Sequence, residues 1–212
     1  MITIKKFVFN TFMVNSYLLS DETGEALLID AACYGKDEEE ELSGYLASNH
    51  LKLVRNLNTH CHIDHILGNG YIAATYGMGP EYHAASVPFF HTAQEIGYSF
   101  GFVLDDIPEP RGLLRDGEIV RWGNSELKVF YTPGHAEGSV CLYNEPQGFV
   151  ITGDVLFRDT IGRTDLPSGD FDQLMNSIRN RLFTLPPDTV VHPGHGPETT
   201  IGYEMANNPF IR

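Results

Sequence analysis

Apolar positions along the chain fall into two rhythms. Ile2 to Phe9 alternates apolar and polar residues, as a strand with one buried face does. Tyr17 to Leu19 and Ala26 to Ile29 flank the turn residues Asp21-Glu22-Thr23-Gly24, which predicts a hairpin. Asp37 to Asn49 reads as a surface helix. Its acidic first turn suits the positive end of the helix dipole, and Leu42, Tyr45 and Leu46 form an apolar stripe. Leu53 to Leu57 is a short strand, and Gly68 to Tyr76 a short helix. From Gly77 to Leu114 the periodicity fades and aromatics crowd in, a partly helical excursion. Strands resume at Glu118 to Trp122, Glu126 to Tyr131, Ser139 to Tyr143 and Phe149 to Thr152. Phe171 to Phe183 is an amphipathic helix with Asp170 placed to cap it, and Thr189 to Val191 is a last buried strand.

The order of strands, helix, strand and loop occurs twice, which implies two similar halves without a repeat in sequence. Two sheets packed face to face with helices outside would bury such a mixture, in one domain over residues 1–212. The 212 residues carry a formal net charge of -14, which disfavours nucleic acid as a partner. No apolar run approaches membrane-spanning length, so no membrane partner is expected. Lys5 and Lys6 are not followed by a secretory leader pattern. Three distant cysteines make a disulfide framework unlikely. A cytoplasmic setting is the expectation, with the chain a monomer or homodimer.

Chemistry concentrates in Thr59-His60-Cys61-His62-Ile63-Asp64-His65, and then in three loop motifs that end in or contain His135, Asp154 and His195. Alternate residues of an extended segment point the same way, so His60 and His62 reach one ion while Cys61 points elsewhere. A turn into helix near Asp64 would swing Asp64 and His65 towards a second ion. His135 then completes the first site and His195 the second, with the Asp154 carboxylate between them. A structural zinc site would close at four ligands and favour cysteine. Seven nitrogen and oxygen donors on glycine-rich loops point instead to catalysis. Two divalent ions, two carboxylates and a hydroxide sum to one positive charge, an electropositive centre in an acidic protein. Asp64 is also placed to orient the nucleophile or carry its proton. His192 reads as a packed histidine, and His50, His83 and His91 as surface residues. The Asp37 to Glu41 charge run reads as a solvated helix start.

These motifs resemble the metallo-β-lactamase superfamily, from about Asp30 to the carboxyl end. That resemblance implies a four-layer αββα sandwich of two mixed sheets with outer helices and a dinuclear site at its edge. Thr152-Gly153-Asp154-Val155-Leu156-Phe157, Gly162-Arg163-Thr164-Asp165, Pro193-Gly194-His195-Gly196-Pro197-Glu198-Thr199-Thr200 and Asn208-Pro209-Phe210 are most similar to compact glyoxalase II-like hydrolases. By the resemblance, His60, His62 and His135 bind the first metal, Asp64, His65 and His195 the second, and Asp154 both. Zinc is the expected metal, with iron and manganese open. The substrate would be S-lactoylglutathione or a related small acyl-thioester, and Arg163 would pair with a substrate carboxylate. A mononuclear iron persulfide dioxygenase, or a lactone or β-lactam hydrolase, shares the same motifs and is the alternative. The aromatic segment from Tyr76 to Phe102 is read equally as an acyl pocket or lid and as ordinary core or a dimer contact.

Overall fold

A computed structural model of the chain describes residues 1–104 and 107–211. The first half runs β1 (Thr3–Phe9), β2 (Val14–Ser20), β3 (Glu25–Ile29), α1 (Lys36–Ser48), β4 (Lys52–Leu57), α2 (Ile63–Ile66) and α3 (Asn69–Tyr76). Then come β5 (Glu81–His83), α4 (Val87–His91), α5 (Ala93–Ser99) and β6 (Gly112–Leu114). The second half holds β7 (Ile119–Trp122), β8 (Ser125–Tyr131), β9 (Val140–Asn144), β10 (Phe149–Gly153), β11 (Leu156–Phe157) and β12 (Thr160–Ile161). It ends with α6 (Phe171–Asn180), β13 (Val190–Pro193), β14 (Thr199–Thr200) and α7 (Ile201–Asn207).

One six-stranded sheet has the order β1-β2-β3-β4-β5-β6 and the other β14-β13-β10-β9-β8-β7. Both are mixed. The first is antiparallel across β1, β2 and β3 and parallel from β3 to β6. The second is antiparallel except between β10 and β13.

Strand periodicity sorts the side chains into layers. Tyr17, Leu19, Leu27 and Ile29 face Leu127, Val129, Leu142 and Ile151 between the sheets. Their neighbours point the other way: Leu18, Ala26 and Leu28 pack under Leu42 and Leu46 of α1. On the opposite flank Cys141, Tyr143 and Val150 lie under Leu174, Met175 and Ile178 of α6. Strands covered on both faces lose the polar alternation of an exposed sheet, and every residue of β2, β9 and β10 is buried. The result is the expected αββα sandwich.

Asp170 caps α6 by accepting from the Gln173 N–H at 2.9 Å, as its position predicts. That helix ends at Asn180, three residues before the expected Phe183, which lies in a 3₁₀ turn over Leu182–Thr184. The acidic start of α1 is not wholly solvated. Glu38 is half-buried, and its two carboxylate oxygens take the backbone N–H groups of Asn10 and Tyr34, each at 2.8 Å. Aromatics of the 77–114 excursion divide between two environments. Phe90 and Phe102 join a small core with Cys61 and Ile63, while Tyr98 and Phe100 are exposed.

Asp21 ties the sheets together at the end of β2. Its carboxylate accepts from Thr23 N and Oγ1, from the Asn124 N–H at 2.7 Å and from the Ser125 hydroxyl at 2.7 Å. Burial alone would raise its pKa. The bonds from Thr23, Ser125 and Asn124 win and lower it to about 2. A folded pKa below the unfolded value stabilises the fold above pH 4 and is lost as pH falls towards 2. Asp21→Ala is therefore expected to cost about 2 kcal/mol at neutral pH, read as a lower urea midpoint. The difference from wild type should shrink below pH 3.

Candidate metal centre

All seven predicted donors converge at one edge of the sandwich, five in loops that follow strands and Asp64 and His65 in the short helix α2. β4 delivers His60 and His62, and α2 then turns Asp64 and His65 into the same space. β8 leads to His135, β10 to Asp154 and β13 to His195. Among the described residues the potential ligand atoms form three overlapping groups: His60, His62 and His135; His60, His65 and Asp154; and Asp64, His65 and His195.

Local chemistry explains the approach. Gly194 has no side chain to keep the His195 loop off Asp154. A Cβ there would collide with Asp154 Oδ1 and come within 2.9 Å of His65 Cε1. Gly153 takes φ 48°, which favours glycine, and a Cβ would reach Thr59 Cβ at 2.7 Å. The His195 loop is fastened by the start of β2. Asn15 Nδ2 donates to the carbonyls of Pro193 and Gly196, both at 2.9 Å, and the Tyr17 hydroxyl to Pro193 O at 2.7 Å.

The histidines are oriented from behind. His135 Nδ1 donates to Arg163 O at 2.8 Å and His195 Nδ1 to Phe12 O at 3.0 Å. Asp30, a buried carboxylate, accepts from the Thr59 N–H at 2.7 Å, from the Thr59 hydroxyl at 2.8 Å and from His65 Nδ1 at 3.1 Å. The single hydroxyl hydrogen of Thr59 goes to Asp30, so His60 Nδ1, 3.2 Å away, is the donor to Thr59 Oγ1. Each of these four histidines therefore presents Nε2 inward. Those of His60, His65 and His135, with Asp154 Oδ1, are buried and lack a hydrogen-bond partner. Orphaned polar atoms in one place are costly unless a ligand satisfies them, and this nitrogen and oxygen set fits a divalent cation.

The electrostatics divide the cluster. Burial holds His60 and His62 neutral, the latter lowered to about 4, and neighbouring imidazoles reinforce this. Burial opposes charge on His65 and His195 too, but there Asp154 and Asp64 prevail. They hold His65 well above the ordinary value and raise His195 to about 9. Burial would raise the Asp154 carboxyl, yet His65 and His195 keep it ionised well below the usual range. One half is neutral imidazole, and the other is rich in carboxylate.

Other predicted residues lie outside this set of ligands. The Arg163 guanidinium is exposed and paired with Asp165 at 2.8 and 2.7 Å, while its carbonyl serves His135. His192 is buried beside Tyr17 and Phe149, with Nδ1 3.2 Å from Glu198. Cys61 is buried away from the cluster with Ile63 and Phe90. His83 stacks on Tyr131 at 4.2 Å. Phe89 meets the open face of His62 edge-on at 5.5 Å.

A dense set of imidazoles and carboxylates at the edge of an αββα sandwich defines a metal-binding fold of hydrolase type. The chain belongs to the metallo-beta-lactamase superfamily, whose model matches residues 10–195. It is 32% identical to hydroxyacylglutathione hydrolase GloC of Haemophilus influenzae over 202 residues, 94% of this chain and 93% of that one. Among solved structures it is similar to the BLEG-1 B3 metallo-beta-lactamase, with a TM-score of 0.88 and 32% identity over 99% of both chains. It is similar also to TTHA1623 in a di-iron-bound form, with a TM-score of 0.86 and 32% identity over 97% of this chain and 99% of that one. No helix among the described residues is long and apolar enough to cross a membrane.

Gly194→Ala tests the close approach. The backbone there needs no glycine torsion, so the fold should survive with a near-wild-type circular dichroism spectrum. Bound metal after dialysis should fall, with affinity about 10- to 100-fold weaker.

Proposed function

We propose that the chain is a dinuclear metal-dependent hydrolase that cleaves S-lactoylglutathione or related acyl-thioesters. One observation carries the reading: the Asp154 carboxylate lies between two ligand sets. Its Oδ1 is 3.4 Å from His65 Nε2, and its Oδ2 is 3.6 Å from His135 Nε2 and 3.5 Å from His195 Nε2. A carboxylate so placed suits two cations held side by side. His60, His62 and His135 would hold one, and Asp64, His65 and His195 the other, with Asp154 shared. Zinc suits the donors, and the di-iron form of TTHA1623 keeps iron in view. When bound, such cations lower the pKa of water and polarise a carbonyl oxygen.

The chain's own groups orient the reaction. In this reading Asp64, whose Oδ2 is 3.3 Å from His195 Nε2 and 3.6 Å from His65 Nε2, steers the attacking water and holds its proton. Phe89, in ring contact with His62 at 5.5 Å, would offer an apolar surface to the acyl group. In this reading the exposed Arg163 guanidinium, paired with Asp165, binds a substrate carboxylate in exchange for it. Similarity to GloC supports the thioester class, and similarity to BLEG-1 makes β-lactams the comparison substrate.

The deciding experiment assays acyl-thioesters, lactones, β-lactams and a persulfide on protein of known metal content. Thioester hydrolysis with two equivalents of metal is expected. Near one iron per chain with oxygen uptake on the persulfide would overturn the reading. Asp154→Ala should abolish turnover and release bound metal together. Arg163→Ala should raise KM for an anionic thioester roughly 1.5-fold to fivefold while leaving kcat nearly unchanged, the scale of one exposed ion pair.

A further inference from the structure

Asn10 closes the β1–β2 hairpin beside the carboxylate-rich half of the cluster. Its backbone is left-handed, with φ 51°, a conformation asparagine tolerates better than most residues. Nδ2 donates to Ala32 O at 2.9 Å and to Asp64 O at 3.0 Å, and Oδ1 accepts from the Phe12 N–H at 2.9 Å. Glu38 holds the Asn10 N–H from α1.

These bonds reach two of the predicted ligands. The Gly68 N–H, which a continuing helix would give to Asp64 O, goes instead to Ala31 O at 2.8 Å. The Asn10 amide gives the Asp64 carbonyl a donor in its stead and so fixes the backbone from which that carboxylate projects. Phe12, pinned by Asn10 through its N–H, uses its carbonyl to accept from His195 Nδ1 at 3.0 Å. That bond leaves Nε2 of His195 facing Asp64 and Asp154. The remaining member of this set, His65, leans on Asp30. His60 and His135 are oriented by Thr59 and by Arg163 O, on other parts of the chain. At the hairpin tip Met13 is exposed, and Phe12, itself partly exposed, rests on Phe100 and Phe102 at 5.6 and 5.8 Å, contacts that involve none of the ligands.

We infer that Asn10 is a positioning residue for one cation site only, the one formed by Asp64, His65 and His195. Its single side chain sets a helix start and a hairpin tip in register, and so keeps two donors of that site at ligand distance. The inference rests on the two-cation reading.

Two substitutions separate this role from a general one. Asn10→Gly keeps the left-handed turn and deletes all three side-chain bonds. Asn10→Asp keeps the shape and the Phe12 bond but sets oxygen against the carbonyls of Ala32 and Asp64. Wild type and both variants, stripped of metal, are titrated with Zn²⁺ against a chromophoric chelator and with Co²⁺ by absorption. Thermal unfolding of the stripped proteins is followed alongside. Wild type should take two equivalents. Both variants should bind the first within about twofold of wild type and the second about 10- to 100-fold more weakly, the scale for residues that orient a ligand from behind. kcat should fall and recover with excess cation, while KM changes little. Unchanged second-site affinity in Asn10→Gly, or equal weakening of both sites, overturns the inference and leaves the two-cation reading intact. A wild type that takes one equivalent overturns that reading and the inference with it.

Discussion

A buried carboxylate organises this molecule. Asp30 is 1% exposed and directly follows β3, so its side-chain oxygens need hydrogen-bond donors around them. They come from the segment that follows the neighbouring strand β4: the backbone and hydroxyl of Thr59, and the ring of His65. Satisfying Asp30 therefore draws the histidine run against the end of β3. The same bonds settle which nitrogen of His60 and of His65 carries hydrogen. Folding and ligand geometry are one requirement there, because a fold that left Asp30 unpaired would also misplace both imidazoles.

The principle extends around the site with different partners. His135 and His195 use main-chain carbonyls, of Arg163 and Phe12, where His60 and His65 use the Asp30 system. In each case the outer nitrogen is occupied and the inner one is left for a cation, an arrangement that makes a ligand more basic and fixes its direction. Sheet-to-sheet contacts supply the rigidity. The Val140 N–H bonds Thr59 O at 2.8 Å across the sheets, and the Asn15 N–H bonds Gly194 O at 2.7 Å. The loops that carry donors in both halves are thus tied to strand residues, Val140 of β9 and Asn15 of β2.

Much of this was legible in the sequence, because the strongest signals are local. The alternation in β1, the stripe of α1, the Asp170 cap and the histidine spacing each need only a short window. Short strands such as Glu81–His83 and Gly112–Leu114 were not, since they pair in parallel with distant partners and carry no turn signal of their own. Asp30 lies just past the strand predicted over Ala26 to Ile29, and nothing beside it in sequence marks it as the partner of Thr59 and His65. Arg163 and Phe12 act on the histidines through carbonyl oxygens. Side-chain identity carries no trace of such a role. Glu38 was assigned to solvent because an acidic run usually is, and only the folded hairpin brings Asn10 to it.

The fastening of the His195 loop by Asn15 and Tyr17 joins segments 176 to 181 residues apart in sequence. Residues 15 and 17 are synthesised well before their partners at 193 and 196. Such distant contacts form slowly and late. Closure of the candidate centre by His195 is thus a late event in folding: until the loop after β13 reaches β2, the earlier imidazoles stand without the segment that completes the donor set.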